Sequence, residues 1–267
     1  MTSKHLLIIP FYLIAYLGTA QSKPELDPIT LADSLIQLVI EQEGLYTLYG
    51  GLKPISTVQH FSYAIDSISG DYIHKGEIKK DLIRLSQSLK LLSNDSIGYT
   101  VIPFKMVSGK TKTFEILVYH KAALKNMISD KTDFFLRRGI LPDDNIEKLL
   151  AIYEFEDKYD RYRAYGHLFG YPDHAVDFFV NSARSNDETG KFVERDFNQI
   201  PVASGQKGRF VYAVPKGYEL GESDEEIMLR AGILLAKFQH DWEMYQSQLN
   251  PEENPSYLHF LYFLAEQ

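Results

Sequence analysis

The residues best suited to chemistry lie between positions 159 and 180, in the stretch YDRYRAYGHLFGYPDHAVDFFV. At helical spacing, four charged or titratable groups here and just upstream share one face: Glu156, Asp160, Arg163 and His167. His167 could then act as a general base oriented by a carboxylate, with Arg163 as a candidate ligand-binding cation. The alternative is structural, with these side chains forming the salt-bridged outer face of a helical hairpin.

A helix boundary is expected at Gly170-Tyr171-Pro172, because glycine ends helices in a left-handed conformation and proline suits the first turn of the next helix. Asp173 then lies at the positive end of that second helix and is a candidate binding residue. His174 and Asp177 lie one turn apart and, with His167, have the residue types of a metal site. His174 lies opposite the apolar positions of its helix, so we expect it to face solvent and assign no metal here.

Lys53 lies in an unusual turn, Gly50-Gly51-Leu52-Lys53-Pro54-Ile55-Ser56. Two glycines permit close backbone approach, and the proline biases Lys53 towards an extended conformation. A lysine fixed beside Tyr46 and Tyr49 could bind a carboxylate or a sugar. The simpler interpretation is an exposed lysine in the turn that leaves a strand.

Asp241 is out of place on the last long helix. At 100° per residue it falls on the apolar face, among Leu234, Phe238 and Tyr245. A buried carboxylate needs partners, and carboxylates in such surroundings concentrate at functional sites, so Asp241 is a second catalytic candidate beside His167. An edge position, or a structural bond to a tyrosine hydroxyl or an arginine, is the simpler explanation.

Several classes of chemistry are excluded by the residues that are present. The chain has no cysteine, which removes disulfides, thiolate nucleophiles and cysteine-held metal clusters. Gly109-Lys110-Thr111 ends like a phosphate-binding loop, but Phe104 stands where that loop needs its first glycine. The basic segment 205–209 has backbone amides that could hold an anion, although a hairpin turn explains it more simply. We therefore expect no cofactor.

The composition is that of an acidic, aromatic-rich globular protein. Of 267 residues, 45% are hydrophobic and 13% aromatic, and the formal net charge is −8. An acidic chain of this kind does not present the basic surface that nucleic acids require. The aromatic side chains could stack on sugars, but their places in strands and on helix faces are explained by packing.

The elements that must position these residues follow from periodicity and turn residues. Apolar residues at helical spacing predict helices over 30–44, 78–92, 120–185 with breaks, 223–249 and 255–267, with caps at Thr30 and Ser223. Residues typical of strands occur at 45–49, 58–65, 99–107, 113–119, 200–203 and 210–214. Glycine-containing turns at 108–110 and 204–208 join the last four strands into two hairpins. The pattern predicts an α+β fold, an antiparallel sheet built from hairpins with amphipathic helices packed against it.

The first twenty residues have the order of a secretory signal peptide. Lys4 supplies positive charge, residues 6–17 are apolar, and Gly18-Thr19-Ala20 provides small residues before a cleavage point after Ala20. The apolar run is shorter than the roughly 20 residues that a membrane span needs. We expect an exported protein, periplasmic or secreted, with a signal peptide over 1–20 and one α+β domain over 21–267. The absence of cysteine from an exported chain of this size favours a bacterial origin.

Two blocks, Gly50-to-Ser56 and GHLFGYPDHAVDFF at 166–179, look like signature segments of an exported bacterial family and transfer no catalytic residue. Our leading hypothesis is a binding or envelope-associated module whose partner is a glycan, a peptide or another envelope protein. The alternative is an extracytoplasmic hydrolase that uses His167 with a carboxylate on glycan or peptide material.

Overall fold

The computed structural model of the protein describes residues 26–204, 210–250 and 252–267. Its elements in chain order are α1 (Pro28–Glu41), α2 (Leu45–Leu48), β1 (Ile55–Ala64), α3 (Lys75–Leu92), β2 (Ile97–Ser108), β3 (Thr111–His120), α4 (Lys121–Asp130), α5 (Thr132–Leu136), α6 (Ile146–Phe155), α7 (Lys158–Leu168), α8 (Asp173–Thr189), β4 (Arg195–Ile200), β5 (Phe210–Pro215), α9 (Glu222–Gln248) and α10 (Tyr257–Ala265). The α+β prediction is confirmed.

The larger sheet is antiparallel, with strand order β1-β3-β2. The hairpin expected around 108–110 joins β2 to β3, and Gly109 takes the positive φ of 61° that its turn requires. On the other edge of β3, β1 pairs from Ile55 opposite Tyr119 to Ala64 opposite Thr111. The central strand of this sheet is therefore β3, whose residues reach both layers of helices.

Helices cover both faces of this sheet. One core joins α1, α3, α9 and α10 to strand residues such as Phe114, Ile116 and Val118. The other joins α4, α5, α6 and α7 to Ile102 and Leu117. The alternation along β3 sends successive side chains to opposite layers, as the pleat of a strand dictates.

The smaller sheet consists of β4 and β5, paired antiparallel from Arg195 opposite Pro215 to Ile200 opposite Phe210. The second predicted hairpin is thus confirmed, but its first strand ends at Ile200, where the sequence indicated a beginning. Its apolar side packs with Tyr46, Leu52 and Ala231 in a third core. The segment 205–209 considered as an anion loop lies outside the described residues.

Residues 45–49 do not form a strand. Leu45–Leu48 is a short helix whose first three residues are all buried, and a short apolar run has no period that separates the two conformations. The helix caps also differ from expectation: Asp27 caps α1 instead of Thr30, and Gly221 precedes α9 where Ser223 was expected. In both cases the chain enters the helix a few residues earlier.

The first and last described helices are bound to each other. Asp33 on α1 accepts hydrogen bonds from the Ser256 hydroxyl at 2.7 Å and from the Leu258 amide at 2.8 Å. The Tyr257 hydroxyl donates to Glu41 at 3.2 Å. Segments more than 200 positions apart in the chain therefore close the first core together.

None of the described helices is long and apolar enough to cross a membrane. The expected signal peptide and its cleavage point after Ala20 lie outside the described residues.

Candidate functional site

The two blocks singled out in the sequence pack directly against each other. Gly170 takes a φ of +73°, and a Cβ atom there would lie 2.8 Å from the Leu52 carbonyl oxygen and 3.1 Å from Pro54 Cδ. A side chain at Gly170 would therefore force the two backbones apart. Glycine is required here for close approach as well as for its backbone conformation.

Lys53 is completely buried, so its interpretation as an exposed turn lysine is wrong. Its Nζ lies 3.3 Å from Glu43 Oε2, and three rings surround it at 4.3 Å (Phe210), 4.9 Å (Tyr171) and 5.3 Å (Phe169). We call these four residues and Lys53 the lysine cage. The cage draws on four segments, the turn between α1 and α2, the turn after α2, the turn after α7 and strand β5, so no single segment suggested it.

Two effects on the pKa of Lys53 act in opposite directions. Burial lowers the pKa of Lys53, because it penalises the charged ammonium, while Glu43 acts in the opposite direction. Ring faces attract a desolvated cation, so the three aromatic side chains add to the stabilisation from Glu43. The carboxylate that Lys53 binds in this structure belongs to its own chain.

Beside the cage lies a buried carboxylate, Asp224. Its Oδ1 accepts a hydrogen bond from the Tyr212 hydroxyl at 2.5 Å, and its Oδ2 accepts from the Tyr218 hydroxyl at 2.9 Å and the Gly221 amide at 3.0 Å. Burial raises the pKa of Asp224, but these hydrogen bonds outweigh it and the net direction is downward. Tyr171 connects the two sites, since its ring packs on that of Tyr212 with centroids 5.9 Å apart.

His174 faces Asp224, with Nε2 3.2 Å from Oδ1. The expectation that it points into solvent is wrong: its side chain is 30% exposed and its ring stacks on Tyr218. The helical position is opposite the core face, as the sequence indicated, but the segment after β5 covers that side of α8. No cluster of three metal-ligating side chains occurs among the described residues.

His167 lies buried at the end of α7, 7% exposed, with Nδ1 3.6 Å from Asp173 Oδ1. Its ring meets Phe134 edge to face. Burial is the main cause that lowers its pKa to about 4, and Lys131 and Arg163 act in the same direction. His167 is therefore neutral at pH 7, and a base of this strength is a poor proton acceptor at that pH.

The charged groups around His167 pair with one another. Lys131 donates to Asp173 at 2.6 Å, and Arg163 donates to Asp177 on the next helix. The predicted stripe is interrupted, because Glu156 follows α6 and precedes α7. Arg138 joins it to Asp160.

Asp241 is 4% exposed, so its predicted position on the apolar face of α9 is confirmed. Lys237, one turn earlier, donates to it at 2.6 Å. Tyr49 lies close enough that burial and then the negative charge of Asp241 raise the pKa of its hydroxyl. Asp241 thus has a lysine partner in addition to a neighbouring tyrosine, the structural surroundings that were one alternative for it.

The sequence analysis missed a further group of buried polar side chains, which lies between the larger sheet and the layer formed by α4, α5, α6 and α7. Glu115 on β3 accepts from the Thr57 hydroxyl at 2.6 Å and lies 3.0 Å from His60 Nε2. Glu154 on α6 accepts from the Tyr165 hydroxyl at 3.3 Å. The available signal was a single acidic residue within the apolar run Phe-Glu-Ile-Leu-Val of a strand covered on both faces.

A cleft of about 360 Å³ borders the Gly50–Leu52 turn. Its polar lining comes from β3, from α4 with the residue that follows it, and from α9: His120, Asn126, Asp130, Lys131 and Arg230. Lys131 also donates to Asp173, so the cleft adjoins the group of charged side chains around His167. Gly51 is fixed by packing on this side, because a Cβ there would lie 2.6 Å from that of Ala123.

Comparisons with protein-family models, curated proteins and solved structures return no match for this chain.

Proposed function

We propose that the protein is an exported binding module, and that it binds a carboxylate-bearing glycan or peptide end in the cleft beside the Gly50–Leu52 turn. The observation that carries the proposal is the lining of the cleft, where two cationic side chains, Lys131 and Arg230, stand with one acidic side chain, Asp130. The chain as a whole carries −8, so this is a local excess of cationic groups on an acidic protein.

The lining suits a small ligand with one anionic group. A volume of about 360 Å³ falls within the range of small-molecule sites. Arg230 is half exposed and lies 3.7 Å from Glu226, a distance at which the guanidinium can turn towards a carboxylate and bind it with two hydrogen bonds. The Asn126 amide offers both a donor and an acceptor for neighbouring hydroxyl or peptide groups.

The hydrolase alternative has less support. His167 is buried, carries no charge at pH 7 and lies 3.6 Å from the nearest carboxylate oxygen of Asp173, beyond hydrogen-bond distance. The second catalytic candidate, Asp241, is held by Lys237 at 2.6 Å. A hydrolase would show activity that falls on changing His167 to Gln with ligand binding retained.

Export rests on residues 1–20, whose charge, apolar run and small residues have the order of a signal peptide. The proposal is that the mature protein begins at Gln21 and acts in the periplasm or outside a bacterial cell. Mass spectrometry of the protein recovered from the extracytoplasmic fraction tests this directly. An intact Met1 would overturn it.

Binding is tested by NMR titration with two matched pairs of probes: glucuronate against glucose, and a dipeptide with a free carboxylate against its amide. We expect an acidic probe to shift the amide signals of the Gly50–Leu52 turn, and its neutral counterpart to leave them unchanged. Loss of one charge-assisted hydrogen-bond donor in the Arg230→Gln variant should weaken binding about 10-fold or more.

The matched control is Lys125→Gln. Lys125 is on the same helix as Asn126, pairs with Asp143 at 2.6 Å and does not line the cleft. This variant should bind as the unchanged protein does. The proposal fails if neither acidic probe shifts the cleft signals at about 10 mM, well above a millimolar dissociation constant, or if the two substitutions have equal effects.

A further inference from the structure

Three consecutive backbone amides in the turn beside the cleft have no acceptor. The amides of Gly50, Gly51 and Leu52 make no hydrogen bond to any residue that the structure describes. The next amide, that of Lys53, donates to the Tyr46 carbonyl oxygen at 3.4 Å. Leu52 is only 8% exposed, and backbone amides of buried residues are nearly always paired in folded proteins. An acceptor for these three donors must therefore come from outside the described chain.

The conformation that leaves these amides bare requires both glycines. Gly50 has a φ of +133° and Gly51 a φ of +64°, values that side chains other than hydrogen rarely allow. A Cβ atom at Gly50 would also lie 3.3 Å from Leu234 Cδ2. Successive N–H groups in a bend of this kind form concavities that bind anions. All three residues line the cleft of about 360 Å³.

We propose that these three amides form an amide cradle, which binds the carboxylate of the ligand in the cleft. The amide cradle rests on the proposed function, since it assigns the place of the ligand's anionic group within the same cleft. Arg230 on α9 supplies the positive charge from the opposite wall. The backbone therefore recognises the anion, and the cationic side chain strengthens its binding.

The number of donors fits a carboxylate. Its two oxygens offer about four acceptor sites, which three amides and one N–H of Arg230 can fill. His120 adds a neutral donor beside them, because its Nδ1 accepts from the Ala123 amide at 3.3 Å and its proton therefore lies on Nε2. This donor suits a hydroxyl or carbonyl oxygen next to the carboxylate, as uronic acids and peptide ends have.

The lysine cage gives the amide cradle a rigid support. Lys53 follows the cradle directly, and its side chain is completely buried in the cage. Gly170 packs on the other side of the same backbone, where a Cβ atom would lie 2.8 Å from the Leu52 carbonyl oxygen and 3.3 Å from Lys53 Cα. Neither Lys53 nor Gly170 lines the cleft, so both are positioning residues for the cradle.

Amide hydrogen exchange measured by NMR tests the cradle, with the same acidic probes as the titration: glucuronate and a dipeptide with a free carboxylate. Binding should slow exchange at Gly50, Gly51 and Leu52 by about 10-fold or more, because each amide then donates to the bound carboxylate. Glucose should leave these rates unchanged. Gly109 is the matched control, a glycine with a φ of +61° in the open β2–β3 turn, and its exchange should stay the same with every probe.

Gly170→Ala separates positioning from folding. The added methyl group displaces the Leu52 backbone, so the acidic probe should bind about 10-fold or more weakly and no longer protect the Leu52 amide, at a temperature at which the variant is folded. The Arg230 side-chain signal should still respond to the probe, because α9 is unchanged. The control is Gly190→Ala, which should bind as the unchanged protein does. A purely structural role of Gly170 would lower stability and leave the affinity of the folded protein intact.

The outcomes distinguish the amide cradle from the binding function itself. If an acidic probe shifts the Arg230 signal while exchange at Gly50, Gly51 and Leu52 stays as in the free protein, the cleft binds anions without a cradle. If no acidic probe shifts any cleft signal, the proposed function and the cradle both fail. If Gly170→Ala keeps full affinity and amide protection, its packing does not position the turn.

Discussion

Lys53 and Asp224 are both withdrawn from solvent completely, and the protein holds their charges in different ways. Asp224 receives three short hydrogen bonds from Tyr212, Tyr218 and Gly221. Lys53 has Glu43 at 3.3 Å and is otherwise surrounded by rings. Directional donors favour the charged form enough to lower the pKa of Asp224, whereas burial prevails at Lys53 and lowers the pKa of its ammonium.

The comparison teaches that equal burial does not mean equal dependence on charge. Removing the charge at Asp224 leaves buried donors without an acceptor, which costs their desolvation. Removing the charge at Lys53 leaves an apolar cage and one carboxylate, Glu43, that still reaches solvent. The fold therefore depends on the charge of Asp224 for its stability, whereas it only tolerates the charge of Lys53.

The largest effect is expected from Asp224→Asn. The amide nitrogen cannot accept a hydrogen bond, so at least one of the three donors loses its partner, and the free energy of unfolding should fall by about 3 kcal/mol. Urea unfolding at pH 7 measures it. The neighbouring exposed residue gives the control, Glu225→Gln, which should change stability by less than about 0.5 kcal/mol. Equal effects would refute the distinction.

His167 extends the comparison to a buried group that is neutral at pH 7. Its pKa in the folded protein is about 4 against 6.5 in the unfolded chain, so the unfolded state binds more protons between these values. Stability is therefore complete above about pH 6.5 and falls by about 2–3 kcal/mol as the pH drops to 4. Unfolding curves of the unchanged protein and of His167→Gln, measured across this range, should converge in acid. Parallel curves would contradict the buried neutral state.

Gly170→Ala tests whether the close packing of the two sequence blocks beside the lysine cage stabilises the fold. A methyl group 2.8 Å from the Leu52 carbonyl, on a backbone with positive φ, should cost about 2–3 kcal/mol. The control is Gly190→Ala, which has a similar φ of +68° with open space around it and should cost only about 1 kcal/mol. Thermal unfolding of the two variants decides it. A difference below the error of the measurement would remove the argument from close approach.

The smallest effect is expected from Lys53→Met. A flexible apolar side chain fills the ring-lined space, so the free energy of unfolding at pH 7 should change by less than about 1 kcal/mol in either direction. The sign of the pH dependence gives a sharper test. The folded-state pKa of Lys53 lies below the unfolded value of 10.5, so the unchanged protein should gain stability over Lys53→Met as the pH rises between them. A loss of 3 kcal/mol at pH 7 would show that the cage depends on its ion.

The sequence predicted the parts of the fold in which local pattern and tertiary packing agree. The β2–β3 hairpin combines β-branched strands with a glycine turn, and α9 has a clear helical period. Residues 45–49 were misassigned because buried helices and buried strands share the same short apolar run. Cap positions failed for a related reason, since several acceptors near each helix start fit the same pattern.

The site was accessible to sequence reasoning only in part. Burial of Asp241 followed from the helical period alone. The lysine cage joins residues 43, 53, 169, 171 and 210, and no local pattern carries contacts between positions so far apart. His174 was placed correctly on its helix and misjudged in its surroundings, because a single helix does not reveal what covers its second side.

The bond between α1 and α10 has a consequence for the order of folding. Asp33 finds its two donors in Ser256 and Leu258, so a residue of α1 waits for residues that are synthesised more than 200 positions later. Contacts of such sequence separation form late, since closing a long loop precedes any gain from the contact. The first core is therefore completed only after the ribosome has released the segment that forms α10, and until then its apolar face stays open to whatever handles the nascent chain.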